Sequence, residues 1–478
     1  MTSGLTEQSA LALAATIREG KTTSREVVEA HIDVLERTQL NALIADRFAQ
    51  AREEAEEADR RIADAGGNED LPPLLGVPCT IKESISLVGM PNSAGLVSRS
   101  EHRSTETASS AQRLLDAGAI PLGVTNVSEL TMWIESDNRV YGRTLNAYDP
   151  KRIAGGSSGG EGAAVGSGGS PLGLGSDIAG SIRIPAFFNG VFGHKSSANL
   201  VPNSGMFPNT EGEAAFMLTV GPLARRAEDL MPALRILAGP DGRDGKVRDV
   251  SLGDPGDVEL GGLDVVISEQ AALLPIRREL REARERAAGA LAAAGANVRR
   301  ESLTGLRRAL ELFFAALQDG AGTTTREILE AEGAEPVGWR SAFKRGGPHT
   351  PATLLLLASE KVGDRIPSGR IRKAKAAAQA LRKEVEDVIG DGVLLHPPHP
   401  RVAPRHRATI GQSWLLTPTA IFNLIGLPAT QVPMGLNPRG LPVGVQVAAG
   451  LDRDHVSIAV AMELERVFGG WVPPKTRG

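Results

Sequence analysis

From Gly155 to Ser197 the chain reads GGSSGGEGAAVGSGGSPLGLGSDIAGSIRIPAFFNGVFGHKSS. Glycine and serine dominate it, and glycine is 55 of 478 residues overall, about 12% against ~7% in an average protein. A flexible linker would show the same composition, but here apolar residues are interleaved and Ser181-Ile182-Arg183-Ile184-Pro185 reads as ordered structure. A phosphate cradle would need G-x-x-x-x-G-K-[ST] or G-x-G-x-x-G in register, and neither is present. Gly156-Ser157-Ser158-Gly159-Gly160 does match G-x-S-x-G, the nucleophile elbow of α/β-hydrolases, with Ser158 as nucleophile. That elbow needs a strand just before it, and Asp149-Pro150-Lys151-Arg152 makes a poor one.

Outward from this stretch, helical and extended patterns alternate. The first ~65 residues read as helices, with a capping box at Thr23-Ser24-Arg25-Glu26. Asp46 can cap the next helix, whose apolar stripe is Phe48, Ala51, Ala55, Ala58 and Ile62 and which Gly66-Gly67-Asn68 ends. Short apolar strands are expected at Val77–Lys82, Ile120–Val124, Leu263–Ile267, Ala296–Val298, Val393–His396, Thr430–Val432 and Val443–Val447. Long helices at Leu274–Ala294 and Ile371–Ile389 lie between or beside them. The pattern predicts an α/β sheet covered on both faces. No repeat or domain-separating linker is evident, so the chain is expected to be one domain over 1–478, with Gly239–Gly262 as its softest boundary. Residues 300–410 are the least regular and read either as a substrate-facing elaboration or as ordinary surface.

Three blocks in order, Gly76–Glu83, Gly155–Gly160 and Asp177–Pro185, closely resemble the amidase signature family. Gly76-Val77-Pro78-Cys79-Thr80-Ile81-Lys82-Glu83 is similar to the strand that carries the family lysine. Gly155–Gly160 and Asp177–Pro185 are similar to its two central blocks, with Ser157 and Ser181 at the family spacing of 24 positions. The resemblance covers nearly the whole chain and is nearest to fatty-acid amide hydrolase-type members. It implies an α/β fold with a central mixed, twisted sheet and helices on both sides, a signature core at about 74–240, and the N-terminal helical segment of about 1–65 packed onto it.

The same resemblance implies an amidohydrolase that converts carboxylic amides, and esters too, to acid plus amine or ammonia through an acyl-enzyme. It assigns Ser181 as nucleophile, Ser157 as proton relay and Lys82 as general base. The chemistry is coherent, because a serine hydroxyl is a weak nucleophile until a base takes its proton. A lysine can do so only when neutral, which burial promotes. Ser157 is held in the family by a cis peptide, here Gly156–Ser157. The oxyanion donors implied are the backbone N–H groups of Ile178, Ala179, Gly180 and Ser181. Ser158, Asp177 and Arg183 are supporting residues, and Met132 sits where the family lines its substrate pocket. Ala179 departs from the usual glycine, a strained choice if that position needs positive φ. Ser196 stands where proline is common.

Composition narrows the alternatives. A net charge of −4 gives no electrostatic footprint for nucleic acid or an anionic membrane. The single cysteine, Cys79, excludes an internal disulfide and reads as a small buried hydrophobe; a reducing cytoplasm fits it. His396-Pro397-Pro398-His399 cannot form a helical metal motif, so neither metal nor cofactor is expected. The N-terminus lacks a signal-peptide pattern. Trp414–Gly435 is broken by Thr417, Pro418, Thr419, Asn423, Pro428 and Pro433, so no integral membrane segment is expected. The partner expected is a small-molecule amide substrate, and a homodimer is the family-level expectation. Two other readings remain open: a glutamine-hydrolysing subunit of a tRNA-dependent amidotransferase, and a degenerate homologue that only binds ligands.

Overall fold

The structure is a computed structural model that describes residues 4–65, 71–210, 214–268, 275–320, 324–334, 347–363 and 368–475. Thirteen strands occur among them. Chain order gives β1 Leu43–Asp46, β2 Pro78–Lys82, β3 Ile120–Thr125, β4 Asp137–Asn138, β5 Gly142–Arg143, β6 Leu172–Asp177, β7 Phe192–Lys195 and β8 Thr219–Ala224. The remainder are β9 Asp264–Ser268, β10 Asn297–Glu301, β11 Val393–His396, β12 Ala429–Leu436 and β13 Pro442–Ala449. β4 and β5 form a small ribbon, and the other eleven make one sheet in the order β1-β3-β2-β6-β8-β7-β12-β13-β11-β9-β10. β2 runs parallel to both β3 and β6, β9 runs parallel to β10 and β11, and the remaining pairs are antiparallel. This is the mixed α/β sheet expected.

Side chains alternate across a strand, yet all five residues of β2 and all six of β6 are buried, so both faces are covered there. The alternation also divides the core. Val265 and Ile267 pack into one apolar cluster and Val266, between them, into another; Val393 and Leu395 part from Leu394 in the same way. The second cluster is closed by helices Ala309–Gly320 and Ser368–Ile389, through Leu312, Phe313, Leu381 and Val385. The irregular region 300–410 thus supplies helices to one face of the sheet.

All seven expected strands are present, Val393–His396 with the ends expected and the other six with shifted ends. β6, β7 and β8 fall outside that expectation, because LGLGSD and FGHK carry glycines that weaken a strand signal. The N-terminal segment is corrected in one respect. The capping box of Thr23 and Glu26 opens helix Ser24–Thr38, but Leu43–Asp46 is a strand at the sheet edge. Asp46 Oδ1 accepts from Phe48 N at 3.4 Å, at the start of helix Phe48–Ala65, and Ala51, Ala55 and Ala58 form its buried stripe. The expected stop at Gly66-Gly67-Asn68 lies outside the described residues. Between β2 and β3 the register shifts by one residue: Cys79 faces Pro121, whereas Ile81 faces Val124.

Candidate active site

Lys82 is the last residue of β2 and is fully buried. Its Nζ donates to Ser157 Oγ at 2.7 Å, to Ser176 Oγ at 2.9 Å and to Ser176 O at 3.3 Å. Ser176 is on β6, so the strand neighbours of the sheet hold the amine in place. Burial pushes the Lys82 ammonium down to about 7, while the carboxylates of Asp177, Glu161 and Glu83 pull the other way. No carboxylate contacts Nζ among the described residues, which lets desolvation win.

Ser157 follows a cis Gly156–Ser157 peptide, as the resemblance implies. Its carbonyl accepts from Ser136 Oγ at 3.1 Å. Ser158 is buried, and its hydroxyl donates to Ser176 O at 3.3 Å. No strand precedes Ser158, since residues 154–158 form a loop before helix Gly159–Gly166. The nucleophile-elbow reading therefore lacks both its strand and its exposed hydroxyl.

Ser181 is 8% exposed, against 0% for Lys82 and 1% for Ser157. Its hydroxyl makes no hydrogen bond to another described residue, and its carbonyl accepts from Ser158 N at 3.2 Å. The structure thus joins Lys82 and Ser157 directly and ties Ser181 to the same turn through its backbone. Ser181 is the member of the three that opens toward solvent.

Asp177 and Arg183 build the loop that carries Ser181. Both are fully buried, and they meet twice, Arg183 Nε to Asp177 Oδ2 at 3.1 Å and Arg183 Nη2 to Asp177 Oδ1 at 3.0 Å. Asp177 also accepts from Gly180 N at 2.6 Å, Ile182 N at 3.1 Å and Asn423 Nδ2 at 3.0 Å. Burial raises this carboxyl, but the Arg183 guanidinium and these donors overcome it and hold the acid at about 2. Arg183 is shared further with Thr419 O, Asn423 Oδ1 and Gln446 Oε1.

Of the four expected oxyanion donors, Gly180 N–H is therefore taken by Asp177. The N–H groups of Ile178, Ala179 and Ser181 have no hydrogen-bond partner among the described residues. Ala179 does not have positive φ; Gly180 does, at +121°, and a Cβ there would lie 2.4 Å from Thr419 Oγ1. Alanine at 179 is thus unstrained, and the demand for glycine falls one residue later. Met132 is half-buried, its Sδ 3.6 Å from Thr325 Oγ1 beside Leu130 and Leu329.

Ser176, Thr419, Asn423 and Gln446 also serve the site, and sequence reasoning did not single them out. For Thr419 and Asn423 a signal exists: polar residues inside the most apolar late stretch must find buried partners. Cys79 is fully buried and burial pushes its thiol up, as suits a small apolar filler.

Comparisons with known proteins bear on the family and the fold. The family described as Amidase matches residues 26–456. Fatty-acid amide hydrolase 2-B of Danio rerio is 43% identical over 99% of this chain and 92% of its own length. A glutamyl-tRNA(Gln) amidotransferase subunit of Deinococcus radiodurans is 31% identical over 96% of this chain and 97% of its own. The structure of a bacterial aryl acylamidase of the amidase signature enzymes superposes with a TM-score of 0.84 at 25% identity, over 97% of each chain.

Proposed function

Because the chain belongs to the amidase family and is an amide-cleaving hydrolase, we propose that Ser181 is its nucleophile, Ser157 its proton relay and Lys82 its general base. The observation that carries this reading is the 2.7 Å contact between Lys82 Nζ and Ser157 Oγ in a buried site. A neutral amine has two N–H bonds and one lone pair. Ser176 Oγ and Ser176 O can take the two N–H bonds, which leaves the lone pair for the Ser157 proton. Ser157 in turn takes the proton of Ser181 as its oxygen attacks the amide carbon. The oxyanion is met by the N–H groups of Ile178, Ala179 and Ser181. The proton then returns through Ser157 to the leaving amine, and water releases the acid from Ser181. Esters follow the same route with an easier leaving group.

The substrate we infer is a small-molecule amide with an apolar acyl group. Ala179 belongs to the apolar cluster closed by helices Ala309–Gly320 and Ser368–Ile389. A pocket of about 370 Å³ opens in that region, walled largely by apolar residues such as Phe216, Met217, Leu424 and Ile425, with Gln379 and Arg382 as its polar members. The apolar part of this lining suits a hydrocarbon chain, with Gln379 and Arg382 available to a polar end, and the relative at 43% identity is named for fatty-acid amides, whereas the amidotransferase relative stands at 31%. Met132 is proposed as a further contact of the substrate. The reading keeps a single domain, a homodimer and a cytoplasmic setting, the last in keeping with the lone reduced Cys79. Among the described residues no helix is long and apolar enough to cross a membrane.

The test is labelling with a fluorophosphonate serine probe, together with turnover of short- and long-chain amides and anilides. Loss of both in Ser181→Ala, with labelling kept in Ser158→Ala, is the expected result. Labelling that persists in Ser181→Ala and disappears in Ser158→Ala overturns the mechanism. Glutamine as the preferred substrate, and only with partner chains added, would favour the amidotransferase reading.

A further inference from the structure

Glu161 is a buried carboxyl that the mechanism above does not use. It lies in the first turn of helix Gly159–Gly166, four residues after Ser157. Its Oε2 accepts from Thr80 Oγ1 at 2.6 Å and its Oε1 from Thr125 Oγ1 at 2.7 Å. Those hydroxyls belong to β2 and β3, so one carboxyl bolts the helix behind the relay serine to two strands. The third wall is Gly173 of β6, where a Cβ would sit 2.0 Å from Glu161 Oε2. The strand leaves out a side chain where the carboxyl must fit.

Thr80 and Lys82 are two residues apart on β2 and so project to the same face, about 6–7 Å apart along the strand. The Glu161 carboxyl therefore lies in the dry layer beside the amine. Three carboxyls influence Lys82: Asp177, Glu161 and Glu83. Asp177 is matched by Arg183. Glu83 is held by Ser93 N, Ser93 Oγ, Ala94 N and Tyr141 OH. Among the described residues Glu161 has two hydroxyl donors, and the cation that acts on it is Lys82. The Cys79 thiol is the other titratable neighbour and is neutral. We propose that Glu161 is a positioning residue that fixes the Ser157 turn against β2 and, by gaining or losing its own proton, sets whether Lys82 is charged.

The electrostatics follow from the placement. An ionised Glu161 stabilises the Lys82 ammonium and withholds the base; a protonated Glu161 leaves the amine free. Burial raises the Glu161 carboxyl to about 7, opposed by the Thr80 and Thr125 hydroxyls and by Lys82, so its proton is in play where the base operates. Only proton positions change, between two groups in one enclosure.

This inference rests on Lys82 being the base, and the experiment separates the two. The acidic limb of kcat/KM is measured from pH 5 to 9 on an anilide substrate for wild type, Glu161→Gln, Thr80→Val and Lys82→Ala. Glu161→Gln removes the negative charge, so its midpoint moves to lower pH by roughly 0.5–1 unit. Thr80→Val removes a donor to the ionised carboxyl and moves the midpoint the same way by less; it decides the matter if Glu161→Gln does not fold. An unmoved midpoint, or one displaced to higher pH, in the folded variant overturns the proposal and leaves Glu161 a structural bolt. If Lys82→Ala keeps wild-type turnover and midpoint, the assignment of the base fails and this inference falls with it.

Discussion

Lys82 Nζ lies 2.7 Å from Ser157 Oγ, and no carboxylate among the described residues touches that nitrogen. Dehydration is therefore the largest influence on this amine, with the nearby carboxylates of Asp177, Glu161 and Glu83 opposing it from beyond contact. With its titration at about 7, kcat/KM is expected to fall about tenfold per pH unit below that point and to level off above it. A pH–rate profile checks this, and a flat profile between pH 5.5 and 7 would show that no group titrating there limits the chemistry.

The same burial has a thermodynamic sign. The native Lys82 titrates near 7 and the unfolded one near 10.5, so between those values the unfolded chain holds one more proton than the native chain. Stability rises with pH across that window. Lys82→Met should therefore raise the unfolding free energy by roughly 2–4 kcal/mol at pH 7, with the gain shrinking toward pH 10.5, while abolishing turnover. Urea unfolding at both pH values provides the measurement.

Asp177 and Arg183 form a fully buried pair that organises the nucleophile loop. Removing one charge strands the other, at about 3–5 kcal/mol. Arg183→Met is expected to lose that stability and most activity; a melting temperature within about 1 °C of wild type would contradict the account.

The loop geometry predicts opposite outcomes at neighbouring positions. Gly180→Ala meets both a φ of +121° and Thr419 Oγ1, and should cut kcat/KM by about 100-fold or more. Ala179→Gly relieves nothing and should stay within a few-fold of wild type. Equal effects of the two substitutions would place the strain elsewhere.

The candidate site is legible in the sequence because its residues fall in short blocks of constrained type. Lys82, Ser157 and Ser181 rest on a resemblance, and in the structure the lysine ends a strand buried on both faces while the glycines around the serines admit close neighbours. Less legible were the long-range partners. Asn423 and Gln446 reach the loop from more than 200 positions away, and nothing local in their sequence marks that pairing. β6 escaped notice because its glycines make room for Glu161 and Ile182 rather than promote extension. The edge strand Leu43–Asp46 is short enough that helical neighbours on both sides masked it.

The one-residue shift between β2 and β3 bears on how such a chain can vary over time. Along β2 even-numbered residues Thr80 and Lys82 serve the chemistry, while odd-numbered Cys79 and Ile81 serve the core. Parity, then, is the information that strand carries. A single residue inserted or deleted within β2 ahead of Lys82, with the strand pairing kept, would exchange the two sets, presenting isoleucine to Ser157 and an ammonium to hydrocarbon. A change of length in a surface loop leaves that parity untouched, whereas one in β2 needs a compensating irregularity, like the one already present opposite Cys79 and Ile81, to restore the count.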